Sequence, residues 1–361
     1  MIKPLVYTPA HHTRVVLPFD RFLPLDPPGM AARWLKRDTP VGSTILDPIC
    51  ASPLAILEAA AAGYRVLVAC NNPVTAFQLR LLAKGPIAED FNSVIRELGD
   101  QKKGQERLET SIKSLYATRC ASCGAEIQAS GFLWTRGEKL PHGRIYDCPH
   151  CSDSGEHAIT DEDIQRIEQL QRSELMHRSR ALSKVLGGNI ADRETVEAAI
   201  NIYPVRSLYV LFTLMNKMEG MTLSDQRREL LEAILLSLMY SGNAIWSWPE
   251  ERERPRLLSI PTQYIEKNLW LEIDQAIRTW TAEVPRVEYT TWPTMPTKNG
   301  VCLYPGRMRD LAQAAEGMQI DQVLCVFPRP NQAFWTLCSL WSSWLWGREK
   351  AGKFSQVTER R

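Results

Sequence analysis

The chain has 361 residues, 44% hydrophobic and 23% charged, a globular composition long enough for two or three folding units. Its 43 Lys and Arg against 41 Asp and Glu leave a formal charge of +2, so no global field marks a nucleic-acid binder and any such contact must come from local patches. The opening Met1-Ile2-Lys3-Pro4 has no apolar leader and the longest greasy run, 233–240, is too short to span a bilayer, which predicts a soluble cytoplasmic protein whose nine cysteines are reduced thiols or metal ligands rather than disulfides.

Thr44-Ile45-Leu46-Asp47-Pro48 reads as a short apolar strand stopped at Asp-Pro, followed by an alanine-rich helix over 53–62 that Gly63 ends. Residues 65–70 read as a buried strand, and 73–82 as a helix with proline in its first turn. Strand, helix, strand, helix predicts an α/β fold with a parallel, Rossmann-type sheet. Helical spacing at Phe91, Val94, Ile95 and Leu98 breaks over 99–104 and resumes at Leu108, Ile112 and Leu115, giving a helical connector to the cysteines.

Cys120-Ala-Ser-Cys123-Gly124 and Cys148-Pro-His-Cys151 form two C-x-x-C knuckles, each able to present two thiolates to one tetrahedral zinc ion. Residues 127–135 and 144–147 can pair as a hairpin across the turn at 136–141 and bring the knuckles together as a zinc ribbon. Four protein ligands leave no open coordination position, so the metal is expected to be structural, with His142 and His150 as bystanders. Such a ribbon either grips DNA or another subunit, or ties down an insertion with little core of its own.

The charge-laced segment 160–183 is expected to run back as a stalk beside the incoming helix. Residues 207–217 and 224–240 are the strongest helical stretches, the second with Thr222 and Ser224 as possible caps. After a proline-rich, aromatic region over 246–298, residues 321–327 read as a further buried strand ended by Pro328 and Pro330. In the tryptophan-rich helix that follows, Phe334, Leu337, Trp341, Trp344 and Leu345 share one face, expected to pack against the sheet, with base stacking as the alternative.

The segment from Leu46 to Ala59, with Asp47-Pro48-Ile49-Cys50-Ala51-Ser52-Pro53 at its head, resembles the Asp-Pro-Phe-x-Gly-Ser-Gly-Thr-Thr signature of class I adenosylmethionine-dependent DNA amino-methyltransferases. The stretch from Gly63 to Pro73 is similar to the segment that follows that signature, which ends Asp-x-Asn-Pro. Ile202 to Leu208 and Leu258 to Trp270 resemble the large zinc-ribbon-bearing members, and Gly306 to Leu311 resembles their approach to the catalytic strand.

The resemblance implies a Rossmann-like methyltransferase sheet with an inserted zinc ribbon and a helical subdomain. Residues 1–86 would begin the sheet domain, 87–117 connect it, 118–153 form the ribbon and 154–275 a helical insertion. Residues 276–361 would return to the sheet domain, carrying the catalytic strand and the tryptophan-rich helix. The sheet should be incomplete or completed by a second polypeptide, because only about one helix and a tail follow the catalytic strand.

It also implies a cofactor pocket around Asp47, Ser52 and Asn72, and the departures from the family fall there. Ala51 and Pro53 occupy the expected glycine positions, and proline fixes φ and removes an N–H. Cys70 stands where a ribose-binding acid is expected. The family's catalytic Asp or Asn, Pro-Pro and aromatic are matched, by register from Asp321, only by Val326-Phe327-Pro328-Arg329, which offers no acceptor for an exocyclic amine.

These losses predict weak or absent adenosylmethionine binding and no catalytic residue. The expected function is a non-catalytic DNA-binding or assembly subunit on a methyltransferase scaffold; the alternative is an active DNA amino-methyltransferase with divergent motifs. An NAD-type oxidoreductase lacks its Gly-x-Gly-x-x-Gly turn. DNA contacts are expected at Arg307, Arg309, Arg329, Arg348, Lys350 and Lys353.

Overall fold

The computed structural model describes residues 14–24, 26–186, 193–250, 255–328 and 331–351, the last with side chains to 348. They form a mixed α/β protein of two compact units. One is drawn from the described parts of Met1–Ile87 and Thr279–Asn331, the other from those of Ala88–Arg278 and Gln332–Ser355.

The first unit is built on a five-stranded sheet. Its order is Tyr289–Thr291, Gly300–Tyr304, Arg65–Ala69, Thr44–Asp47 and Gln322–Val323, and every neighbouring pair is parallel. Parallel strands need crossover connections, and the sequence supplies helices with proline in the first turn, where the missing N–H costs nothing. Pro53–Ala61 starts at Ser52, whose hydroxyl accepts from Ala55 N at 3.2 Å. Pro73–Lys84 starts at Asn72 and stops at Gly85, whose φ of 61° suits glycine.

The central strands are buried on both faces, as a helix-covered parallel sheet demands. Leu67, Ala69 and Cys302 pack under Leu311 of the helix Met308–Ala314, while helix Pro53–Ala61 lies against the strands from the other side. Phe19 and Phe77 meet the Trp280 ring edge-on at 6.0 and 5.9 Å.

The expected buried strand over 321–327 is corrected. Only Gln322–Val323 pairs, at the sheet's edge against Ile45 and Leu46, with Val323 49% and Phe327 78% exposed. An apolar run identifies a strand but not whether a neighbour covers its second side.

The second unit wraps an antiparallel sheet with helices. Strands Gln263–Lys267, Gly131–Thr135, Gly143–Asp147 and Ser154–Ala158 lie in that order, all antiparallel, and Ala117–Arg119 pairs separately with Glu126–Gln128. The expected hairpin forms with Phe132 opposite Arg144. It also gains two strands from outside the expected ribbon, 154–158 and 263–267.

The stalk expected over 160–183 is two helices, Asp161–Gln171 and Glu174–Leu186, separated at Arg172 and Ser173. Each buries an apolar edge in the unit, Ile167 and Leu170 on the first, Ala181 and Val185 on the second. Charge along a helix marks its wet face and leaves its buried face unread. Helices Arg193–Asn201, Val205–Glu219 and Asp225–Ser241 follow, the last capped by Ser224.

The tryptophan-rich helix, Gln332–Ala351, belongs to this unit and not to the parallel sheet. Its Trp341 indole donates to Tyr203 Oη at 2.6 Å and its Trp344 indole to Ala181 O at 3.0 Å. Phe334, Leu337, Trp341 and Trp344 are buried as expected and Leu345 only half so, but Cys338, Ser339, Ser342 and Ser343 are buried as well, so burial reaches well beyond the expected face. The groups that receive the helix's indoles lie over a hundred residues away in sequence. No single helix among the described residues is long and apolar enough to cross a membrane.

Candidate functional site

Each cysteine knuckle is the tip of its own hairpin. Cys120 and Cys123 sit between strands 117–119 and 126–128, and Cys148 and Cys151 between strands 143–147 and 154–158. The first turn closes through Gly124 N to Cys120 O at 3.0 Å, with Gly124 at φ 70°, and Cys120 N reaches Ala125 O at 2.9 Å. In the second, Cys148 N reaches Asp153 O at 2.9 Å.

The four Sγ atoms all lie within 4.8 Å of one another, Cys120 and Cys151 at 3.6 Å and Cys123 and Cys148 at 3.7 Å. A tetrahedron with metal–sulfur bonds of the zinc length has edges of about 3.8 Å. These four residues could therefore hold a metal ion such as zinc. The thiols resist ionising together: Asp153 N–H favours the Cys151 thiolate, yet burial and Cys148, Cys120 and Cys123 push that thiol up to about 12. A divalent cation removes that penalty.

Three residues behind the cluster carry no motif signal. Asp153 Oδ2 accepts from Cys120 Sγ at 3.3 Å and from Tyr146 Oη at 2.7 Å, while Tyr146 Oη accepts from Ala121 N at 2.8 Å. His157 stacks on Tyr146 with centroids 4.4 Å apart and brings Nε2 to 3.3 Å from Asp153 Oδ1. His142 lies instead beside Thr135 Oγ1, outside the sulfur cluster.

The ribbon is anchored by two buried charge networks. Asp163 Oδ2 receives Arg144 Nη1 at 2.9 Å, Thr118 Oγ1 at 3.1 Å and Thr160 Oγ1 at 2.7 Å, tying both hairpins to the helix that Thr160 caps. Arg206 lies 4.1 Å from the Phe132 ring centroid and 3.8 Å from Glu266 Oε2, which accepts the Trp134 indole N–H at 2.8 Å. Asn268 donates to Ala129 O and accepts from Trp270 N. Arg206, Glu266 and Asn268 thus hold the ribbon sheet.

The second candidate site is the crevice at the carboxyl ends of the parallel strands. Asp47 is buried, and its Oδ1 accepts from Ile49 N and Cys50 N, both at 2.9 Å. Burial raises its carboxyl pKa, those two N–H groups lower it, and Asp26 raises it, for a net rise. Cys50 adopts φ 58°, a left-handed turn that glycine would take without strain. Asn72 Oδ1 accepts from Val74 N at 3.0 Å and Thr75 N at 3.3 Å, and Cys70 Sγ donates to Asn72 O at 3.4 Å. The structure brings Asp47, Ser52 and Asn72 to one end of the sheet, where Asp47 Oδ1, Ser52 Oγ and Asn72 Oδ1 accept from the turns and helix starts beside them.

Asp26 is the residue that sequence reasoning missed here. Burial raises its pKa and a hydrogen bond with Ser52 opposes the rise, while its charge acts on Asp47 and Glu58. Its Oδ2 is buried without a hydrogen-bond partner. The cause is legible: Pro27 and Pro28 have no N–H, and Gly29 N donates to Glu58 Oε1 at 2.6 Å.

Among the residues expected to touch DNA, Arg307 and Arg309 are exposed beside Asp310, at 2.9 and 3.9 Å from its oxygens. Arg348 lies in the other unit, and Arg329, Lys353 and the Lys350 side chain fall outside the described residues. Scanned against protein-family models, curated proteins and solved structures, the chain matches none.

Proposed function

We propose that this chain is a DNA methyltransferase-like protein that binds DNA or assembles with a partner without transferring a methyl group. Leaving aside the edge strand Tyr289–Thr291, its parallel strands follow the 3-2-1-4 order of doubly wound nucleotide-binding sheets. Ligands of such sheets bind where the order reverses, between Thr44–Asp47 and Gln322–Val323. The observation that carries the proposal is the inward turn of the polar groups there: Asp47 on Ile49 and Cys50, Asn72 on Val74 and Thr75, Ser52 on Ala55. A nucleoside cofactor needs acceptors for its ribose hydroxyls, and here Asp47 Oδ1, Ser52 Oγ and Asn72 Oδ1 already accept backbone N–H groups of their own turns.

The metal in this reading is a structural zinc on Cys120, Cys123, Cys148 and Cys151, which supplies folding energy to the ribbon and no open position for chemistry. The exposed side of the edge strand, with Val323 and Phe327, favours assembly with a polypeptide that extends the sheet.

One observation favours the alternative of an active enzyme. Asp26-Pro27-Pro28 brings a partnerless carboxylate oxygen to Ser52 and the neighbourhood of Asp47, though Gly29 stands where the family's signature has an aromatic. The two readings separate on incubating the full chain with DNA and adenosylmethionine carrying a radiolabelled methyl group. The proposal expects no label in the DNA; incorporation that Asp26→Asn abolishes would establish the enzyme.

A further inference from the structure

The helical unit carries a seam of positive charge that neither the ribbon nor the sheet explains. It runs between helices Glu174–Leu186 and Val205–Glu219, and the short hairpin Lys102–Lys103 with Glu106–Arg107 closes one end. Lys103 Nζ lies 4.0 Å from the Tyr209 ring centroid and is hydrogen-bonded to its hydroxyl. The His177 ring meets the same ring edge-on at 5.1 Å. One helical turn on, Arg180 Nη2 donates to Asn216 Oδ1 at 2.5 Å, and Lys217 Nζ donates to Lys102 O at 2.5 Å.

Each of these three cations is satisfied by a neutral acceptor, and among the described residues none is paired with a carboxylate. Surface cations ordinarily sit among carboxylates; the neighbouring Lys184 does, 2.7 Å from Glu219. Crowded like charges raise the energy of the empty seam and lower it again when an anion enters. His177 supplies the second, independent sign. It is 9% exposed, yet its Nε2 is buried without a hydrogen-bond partner. Burial, and after it the charges of Arg180 and Lys103, hold its pKa below the ordinary histidine value.

We propose that this seam binds the phosphodiester backbone of a nucleic acid, with Lys103, Arg180 and Lys217 on phosphate oxygens and His177 donating from its ring. The inference rests on the DNA-binding half of the function proposed above and names the surface that performs it. Length selects a polymer over a free oxyanion. Tyr209 and Asn216 are seven helical residues apart, about 10 Å along the axis, which exceeds one phosphate and accommodates consecutive phosphates of a strand. Met176, one helical turn before Arg180, is 62% exposed on the same face and offers the strand an apolar contact.

The test is fluorescence anisotropy of a labelled duplex oligonucleotide with the full, metal-loaded chain and with the triple variant K103Q/R180Q/K217Q. Removing three phosphate contacts should weaken binding roughly tenfold or more near physiological salt and cut the slope of log affinity against log salt by about 2–3. The charge-removing control K36Q/R37Q, in the other unit, should leave both unchanged. Should the triple variant misfold by circular dichroism, R180Q alone, at an exposed position, should reduce the slope by about 1.

Duplex binding by the unaltered chain that these variants leave intact overturns the seam and spares the DNA-binding reading. No duplex binding by the unaltered chain overturns both. Inorganic phosphate competing as strongly per phosphate as the duplex overturns the polymer assignment. So does variant-sensitive binding to phosphatidylserine vesicles in place of the duplex.

Discussion

Arg206 and Glu266 are both about 1% exposed at the side chain, and each is the other's counter-charge. Removing one partner strands the other in a low-dielectric core, which typically costs about 3–5 kcal/mol. Glu266→Gln should therefore lower the urea midpoint by an amount in that range, while replacing both residues with apolar ones of similar volume should restore most of it. A single variant within about 0.5 kcal/mol of the parent would show that the pair is not the anchor. The flanking motifs were legible in the sequence as segments of a resemblance. That Arg206 and Glu266, sixty residues apart, meet across Phe132 was not, because nothing local encodes a contact between a helix and a sheet edge.

Asp163 gives the ribbon anchor a pH dependence of known sign. Burial raises its carboxyl pKa, but hydrogen bonds from Thr160, Arg144 and Thr118 outweigh burial and hold it below the ordinary carboxylate value. A depressed folded pKa contributes stability that is present above the unfolded value, about 3.9 for Asp, and is lost as pH falls through the lowered one. The stability gap between the parent and Asp163→Asn should be constant at neutral pH and close in acid, read from urea midpoints across pH. A gap that widened on acidification would contradict the assignment. Asp26 marks the opposite kind of legibility: Asp-Pro-Pro is plain in the sequence, and its meaning, a carboxylate denied its local N–H donors, emerges only once Gly29 is seen committed to Glu58.

At the scale of elements, the ribbon is the part the sequence specified most fully, because C-x-x-C spacing fixes both the turn and the chemistry. What spacing could not convey is the support behind it: Tyr146 and His157 lie on the two strands, and Asp153 in the turn between them, at positions that carry no motif. C120S/C123S should lose the metal and the order of the hairpins while the parallel-sheet unit stays folded, since the cysteines belong to the other compact unit. Zinc content by mass spectrometry and amide-exchange protection of 65–69 measure the two halves. Full zinc retention in the double variant would refute the ligand set. The tryptophan-rich helix shows the limit of periodicity: Leu337, Trp341 and Trp344 are buried as the spacing requires, yet against Tyr203 and Ala181 in the helical unit.

For the whole molecule, strand order and sequence departures bear on the same point. The parallel sheet sets Arg65–Ala69 on one side of Thr44–Asp47 and Gln322–Val323 on the other, and the turns after Thr44–Asp47 and Arg65–Ala69 bond to themselves. Val323 and Phe327 are exposed at the outer edge, and the seam at Lys103 and Arg180 is the surface proposed to meet an anionic polymer. Length and net charge of +2 exposed none of this, because opposite charges cancel in a sum and separate in space.

The measurement that bears most directly on the central claim is the melting temperature of the metal-loaded chain with and without adenosylmethionine. A ligand at a hundred times its dissociation constant would add about 2.7 kcal/mol to the folded state. The account predicts an unchanged midpoint at millimolar ligand. A rise that Asp47→Asn or Asn72→Ala abolishes would contradict it and return the crevice to use as a cofactor site.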